Sequence, residues 1–412
     1  MNQQPFGMFE VWGIEIEYMI VDRTSLDVRS IADLVLRDAS AGNDWVADIS
    51  DGGIDWSNEL VNHVIELKCA QPVVSLAGLA SEFERSLKRL QQVLNKHDAC
   101  LMPGGMHPWM VPATEARLWP HEGNEIYSAY DRMFGCKRHG WANLQSMHIN
   151  LPFANASEFA QLMAAIRLIV PLVPALAASS PIYDNRNGRR LDCRLAFYRG
   201  NSSKVPSMAG EIVPEAIFDM DEYRAAVLAP ISRELRAHEA PPELLARDWL
   251  NARGAIARFD RMAIEIRVAD AQENPYADLA IAAAVGTLVR NLVEQSGSSL
   301  AAQQSYPNAP LVNLFKSTIR RGPEAELPPG YAQLFGGASS RIQSAGALCH
   351  RLLTNRFDGP VELEEPLRNI LMTGTLAQRL LRSIGPDCDH RDIQTTYRRL
   401  CQCLAEGHSF QP

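Results

Sequence analysis

Polar and apolar residues alternate with a period of two in four short stretches, the spacing that sends successive side chains to opposite faces of a β-strand. They are Gly13-Ile14-Glu15-Ile16-Glu17, Val64-Ile65-Glu66-Leu67-Lys68, Ser146-Met147-His148-Ile149-Asn150 and Ile264-Glu265-Ile266-Arg267-Val268. In the first, Glu15 and Glu17 share one face while Ile14, Ile16 and Tyr18 line the other. Glu66 with Lys68, His148 with Ser146 and Asn150, and Glu265 with Arg267 repeat the arrangement. Glutamate is a poor strand former. Four glutamates at such positions, with a histidine, point to a divalent metal held on a sheet face.

The remaining periodicity predicts the other elements. The first strand covers residues 9–22, and a short amphipathic helix covers Ser30–Asp38. Residues 46–67 read as strand, turn and strand, with Asp51-Gly52-Gly53 as the turn. Leu76, Leu79, Phe83, Leu87, Leu90 and Val93 recur at helical spacing and predict one helix over 75–97. A strand is expected over 100–106, ending in Gly104-Gly105-Met106-His107-Pro108, and a long one over 140–151 through His148. Helices are predicted over 157–178, 221–237 and 275–296, and 179–208 reads as irregular and rich in Arg and Asn. Ala255–Val268 reads as a hairpin turning near Asp260. After about residue 306 the composition changes; Pro and Gly cluster at 322–337, and helices follow through Ala405. Strands followed by helices, rather than strict alternation, predict an α+β fold. The expected division is a catalytic domain over 1–305 and a helical C-terminal region over 306–412 packed on it.

Length and composition narrow the function classes. A chain of 412 residues buries a substantial core and is long enough for two or three domains. Hydrophobic residues make up 46% and charged residues 21%, the balance of a soluble globular protein. The net charge of −8 leaves no basic footprint for nucleic acid. Met1–Phe9 has neither a basic nor an apolar leader segment, so no secretory signal is expected there. The apolar stretch Phe159–Ala178 is interrupted by Arg167, Pro171 and Pro174, which favours a buried helix over a membrane span. Eight dispersed cysteines suit a reduced cytoplasmic setting. Cys388-x-His390 and Cys401-x-Cys403 lack the usual zinc spacing, and residues two apart on a helix do not face each other.

The chemistry follows from the carboxylates. Hard cations such as magnesium take oxygen ligands and commonly work between carboxylates and substrate phosphates. Converging glutamates repel one another unless metal fills the site. Ions held this way can clamp the phosphates of ATP and offset charge at a transferring phosphoryl group, while Arg267 bonds that phosphate or a substrate carboxylate. A phosphate-binding G-x-x-x-x-G-K-[ST] loop is absent, as are the G-x-S-x-G elbow and H-E-x-x-H. Any one of these stretches alone is an ordinary solvated strand face, and Glu265 with Arg267 alone an ion pair; their recurrence on four strands changes the balance.

The ordered set E-x-E (Glu15, Glu17), V-I-E-L-K (Glu66), G-x-x-H-P (His107), S-x-H-x-N (His148) and E-I-R-V-A-D (Glu265, Arg267) resembles the glutamate–cysteine ligase family, specifically its second type of carboxylate–amine ligases. The same order is similar to glutamine synthetase. The resemblance covers roughly residues 9–275. It implies a curved antiparallel catalytic sheet with helices on one face and the site on the other. It also implies magnesium (or manganese) at Glu15, Glu17, Glu66, His148 and Glu265, ATP as co-substrate, and Arg267 and Glu265 in catalysis. Many members carry H-x-H where this chain has Ser146-x-His148, so only His148 carries over. Arg194, Tyr198, Arg199 and Asn201 in the Arg-rich segment, Arg253 and Arg258 flanking Gly254, and His107 in its turn are candidates for binding substrate or nucleotide.

The expected activity is amide formation between the side-chain carboxylate of glutamate and cysteine through an acyl phosphate. Alternatives are a ligase using another amino acid or amine, a catalytically silent nucleotide- or amino-acid-binding protein, and a metal-dependent hydrolase. The expected partners are small molecules, with no nucleic acid or membrane, and self-association is open.

Overall fold

The structure is a computed structural model, and it describes residues 5–412 except 41, 43, 246–249 and 337–341. The expectation for Met1–Phe9 therefore falls partly outside the described residues. In chain order the strands are β1 (Gly13–Asp22), β2 (Asp48–Asp51), β3 (Ile54–Asn58), β4 (Val64–Cys69), β5 (Ala99–Met102), β6 (Ser146–Pro152), β7 (Ile182–Tyr183), β8 (Arg186–Asn187), β9 (Ala255–Arg258) and β10 (Ala263–Asp270). β7 and β8 form a small separate hairpin. The other strands form one antiparallel sheet in the order β2-β3-β4-β1-β6-β10-β9, with β5 paired to the far half of β1.

The fold is thus α+β, as the sequence predicted, and all four alternating stretches lie in its single large sheet. Ile14, Ile16, Tyr18 and Ile20 are fully buried on one side, in a core shared with the helices Leu79–Leu94, Ala156–Ile169 and Pro275–Val293. Pro275–Val293 is long and apolar enough to cross a bilayer, yet 78% of its apolar window is buried inside the protein. The C-terminal helices Ala345–Arg356 and Glu364–Thr373 pack on that helix, and His390–Glu406 packs on β5.

Several boundaries differ from the sequence reading, each for a local reason. Residues 46–67 hold three strands, because a second turn follows the one with Gly52 at φ 76°. The predicted helix over 75–97 starts at Leu79, after Gly78 at φ 75°, and its last turn is a 3-10 turn. The strand expected over 100–106 ends at Met102. The long strand over 140–151 is instead a helical turn, His139–Ala142, followed by β6. Asn143 lies between them, and its side-chain amide clamps the backbone of His107 at 2.7 and 3.0 Å. The stretch 157–178 is a helix, Ala156–Ile169, followed by two single turns, Val170–Leu172 and Pro174–Ala177, that contain Pro171 and Pro174. Residues 221–237 are helical throughout, with one wide π turn at Arg224–Leu228 beside Pro230, which has no N–H to donate.

The segment 179–208 is where sequence reasoning failed most. It holds a helix, Cys193–Asn201, whose N-cap Asp192 accepts a hydrogen bond from the Leu195 N–H. Its polar, Arg-rich residues hide the helix from an apolar-periodicity test.

Candidate active site

The sheet registers decide which side chains meet. Residues directly opposed on antiparallel strands share a face. Glu15 lies opposite Lys68 on one side and His148 on the other. Glu17 lies opposite Glu66, and Glu265 opposite Asn150. The polar face is therefore continuous across β4, β1, β6 and β10. A β-bulge in β10 shifts the register between Ile266 and Ala269, and Arg267 sits in it.

This face forms the floor of a cavity of about 540 Å³. Glu15, Glu17, Glu66, His148, Glu265 and Arg267 all line it, so the structure brings together the residues expected on four separate strands. His148 Nδ1 lies 3.2 Å from Glu15 Oε2 and 3.8 Å from Glu265 Oε1. Its Nε2 lies 3.0 Å from Ser146 Oγ, which in turn donates to Glu17 Oε2 at 2.9 Å. Two sets of ligand atoms converge within 4.8 Å: Glu15, His148 and Glu265, and Glu17, Glu66 and His148. Carboxylate oxygens with one imidazole suit magnesium or manganese. His148 belongs to both sets.

The electrostatics fit an ion-binding site. Burial, then the Glu15 carboxylate, push the Glu66 carboxyl up to about 7, against the Lys68 ammonium 3.3 Å away. Burial would lower the His148 imidazole, but its hydrogen bond to Glu15 and the charges of Glu17 and Glu265 outweigh that and hold it at about 9. Burial would raise Glu15; its hydrogen bond to His148 and the charges of His148, Arg261 and Arg267 bring it down to about 2. An imidazolium thus compensates part of the negative charge that a divalent cation would neutralise.

The cationic rim is built from β9, β10 and their turn. Arg258 Nη1 donates to Glu265 Oε2 at 2.8 Å and Arg258 Nη2 to Asp260 Oδ2 at 3.0 Å. Arg267 Nε donates to Glu265 Oε1, and Arg267 is hydrogen-bonded to Tyr198. Arg261, on the exposed turn, reaches Glu15 Oε1 at 3.3 Å. Arg194 is 2% exposed; it donates to Asp270 and to the Arg267 carbonyl, so it braces the bulge.

The other predicted residues divide. Arg194, Tyr198 and Asn201 fall at helical spacing on one face of Cys193–Asn201 and line the cavity, as does Arg258. Arg199 is on the exposed side of that helix and outside the cavity wall. Arg253 is also outside it, held by Glu215 at 2.6 and 2.7 Å and by the Ser207 carbonyl at 3.0 Å. His107 is fully buried away from the cavity. Its Nε2 bonds the Leu26 carbonyl at 2.8 Å, its Nδ1 accepts from Met110 N at 3.0 Å, and burial lowers it to about 4. His107 is thus the buried hub of a turn, not a residue at the mouth of the site.

Sequence reasoning also missed part of the site. Glu59, just past β3, lines the cavity; burial, then Glu66 and Glu17, raise its carboxyl well above the usual range. No strand alternation marks it. Lys68 is visible in the sequence as the neighbour of Glu66 on its strand face, and it bonds Ser57 Oγ at 2.8 Å and Asp48 Oδ1 at 3.2 Å. One wall is apolar, with Leu60, Val61, Ile126, Tyr127, Trp141 and Leu144. Trp141 and Ser202 belong to the cavity wall, and Trp141 Nε1 and Ser202 Oγ are buried without a hydrogen-bond partner.

Comparison with known proteins supplies the remaining findings. Residues 11–402 match the family model of glutamate–cysteine ligase family 2. An uncharacterized protein of Archaeoglobus fulgidus is 32% identical over 400 residues, covering 97% of this chain and 99% of that protein. A protein of Rubrobacter xylanophilus, under the provisional name glutamate–cysteine ligase 2-3, is 24% identical over 76% of each chain. Among solved structures, a glutamate–cysteine ligase of Francisella tularensis in complex with AMP superposes with a TM-score of 0.56 at 11% identity. The superposition covers 96% of this chain and 93% of that one, and it shows a shared fold.

Proposed function

The chain belongs to glutamate–cysteine ligase family 2, and from that premise we propose that it is an ATP- and magnesium-dependent ligase joining the side-chain carboxylate of glutamate to the amine of cysteine through an acyl phosphate. The observation that carries this reading is the convergence of Glu15, Glu17, Glu66, Glu265 and His148 on one cavity floor, beside Arg258, Arg261 and Arg267.

A carboxylate is a poor electrophile. Transfer of the γ-phosphoryl group of ATP to it gives an acyl phosphate, and attack by the amine then expels phosphate and leaves the amide. Glu15, Glu17, Glu66, Glu265 and His148 would hold a divalent ion, which would supply positive charge to offset that of the nucleotide phosphates. The protein's own residues orient the reactants and exclude water from the acyl phosphate. Arg267, fixed by Glu265 and Tyr198, offers a rigid fork to the transferred phosphate or the substrate carboxylate. Arg261, paired with Glu15 at 3.3 Å through an exposed side chain, is placed to turn to the nucleotide phosphates.

The apolar wall of Leu60, Val61, Ile126, Tyr127, Trp141 and Leu144 favours a second reading, in which the acceptor is an amine with a larger apolar body than cysteine. The deciding experiment is a screen of ADP release with amino-acid donors crossed against amine acceptors, with magnesium. Donor- and amine-dependent ADP release identifies the ligase and its pair. Binding without turnover would leave a silent binding protein, and metal-dependent hydrolysis without nucleotide a hydrolase. Glu17→Gln should abolish magnesium-dependent turnover while the melting temperature stays that of the parent.

A further inference from the structure

A second cavity of about 640 Å³ lies away from the first, between the helix Leu79–Leu94, strand β5 and the helix His390–Glu406. Leu87, Leu101 and Leu404 form its apolar wall, Arg23, Lys88 and Arg398 its basic one, and the half-buried thiols of Cys100 and Cys401 line it together. The two thiols are hydrogen-bonded to each other. The helix that carries Cys401 is held over β5 by long polar side chains. Arg398 donates to the carbonyls of Arg23 and Thr24 at 3.3 and 2.7 Å, and Gln394 to that of Ser25 at 2.9 Å.

We propose that Cys100 and Cys401 are a reversible modification site that exchanges with a low-molecular-weight disulfide and closes to an internal disulfide, tying β5 to the C-terminal helix. Three observations support it: both cysteines line one cavity, each lies on an element docked against the other, and their thiols interact.

The steps balance. The Cys100 thiolate attacks one sulfur of the reagent disulfide, expels one thiolate and leaves a mixed disulfide. Cys401 loses its proton to solvent and attacks the Cys100 sulfur, expelling the second thiolate. The two protein thiols lose two protons and two electrons, and the reagent takes up both electrons to become two thiols.

The other cysteines are poorer attackers. Burial pushes Cys136, Cys193 and Cys349 up to about 12, and Cys69 and Cys403 up to about 11. Among the cysteines Cys100 alone moves down, through the hydrogen bond from Cys401 and, against burial, the charges of Arg23 and Arg398. Cys403 lies two residues along the helix from Cys401 and so points elsewhere.

The full-length protein is treated with oxidised glutathione, its remaining thiols are alkylated, and the product is mapped by mass spectrometry and melted. The expected product is a Cys100–Cys401 cross-linked peptide, reversed by dithiothreitol, with Tm raised by about 5 °C because the bond closes a very long loop. Cys401→Ser should carry one glutathione on Cys100 and show no rise in Tm, and Cys403→Ser should still form the cross-link. A stable glutathione adduct on Cys100 of the parent, full alkylation of both thiols, or a cross-link to another cysteine would overturn the site. A cross-link without a rise in Tm would overturn the tether.

Discussion

On the proposed reading, metal at His148 has to displace a proton. Its imidazole is held at about 9 by the Glu15 hydrogen bond and nearby carboxylates, and the Glu66 carboxyl at about 7 by burial and Glu15. Both groups must be deprotonated to act as ligands, so metal binding releases protons and competes with them. Magnesium affinity should therefore rise from pH 6.5 to pH 8.5, by about tenfold per pH unit for each proton released. Calorimetry in two buffers of different ionisation enthalpy counts the protons; equal heats in both would show that none is released. Arg267 provides the second test at this scale. Arg267→Lys keeps the charge but loses the planar fork, so turnover should fall by roughly 10²-fold while nucleotide affinity changes little. Turnover like the parent's would make Arg267 a structural partner of Glu265.

The elements place these residues through close contacts that single-residue reasoning does not reveal. The β10 bulge sets Arg267 beside Glu265, and Arg194 bonds the carbonyl at the bulge. On the opposite face of the sheet, Trp12 lies against Gly286 in the middle of the helix Pro275–Val293. A side chain at position 286 would overlap the Trp12 ring. Gly286→Ala gains helix propensity but overpacks this contact, and a net loss of about 1–2 kcal/mol is expected. In a Trp12→Phe background the ring is smaller and the same substitution should become neutral or stabilising. Denaturant unfolding of the four proteins measures the coupling; additive effects would rule out the contact as the reason for the glycine.

At the scale of the whole molecule, buried polar groups join the C-terminal helices to the segment that follows β10. Arg379, fully buried, pairs with Glu273 at 2.5 and 3.2 Å and donates to the Phe410 carbonyl at 2.8 Å. Glu273 follows β10 by three residues, so this pair joins the last part of the chain to the end of the strand that bears Glu265 and Arg267. Removing one partner leaves a buried charge. Arg379→Met should cost about 3–5 kcal/mol, seen as a large drop in Tm. A small change would mean that the C-terminal region is held by its apolar contacts alone.

The alternation of Glu15, Glu17, Glu66, His148, Glu265 and Arg267 with isoleucine, leucine and valine is enough by itself to give four strands one polar and one apolar face. Period-two patterning is local, and burial of the apolar face on a core follows from the hydrophobic effect alone. The order of strands, the bulge and the registers that bring Glu17 opposite Glu66 are non-local pairings, and no local pattern encodes them. For the same reason only the tertiary structure could bring Glu59 and Arg261 into the site, turn Arg194, Tyr198 and Asn201 toward it on an unforeseen helix, and remove His107, Arg199 and Arg253 from its wall. Three of these residues owe their places to partners distant in sequence: Glu15 for Arg261, Leu26 for His107, Glu215 for Arg253.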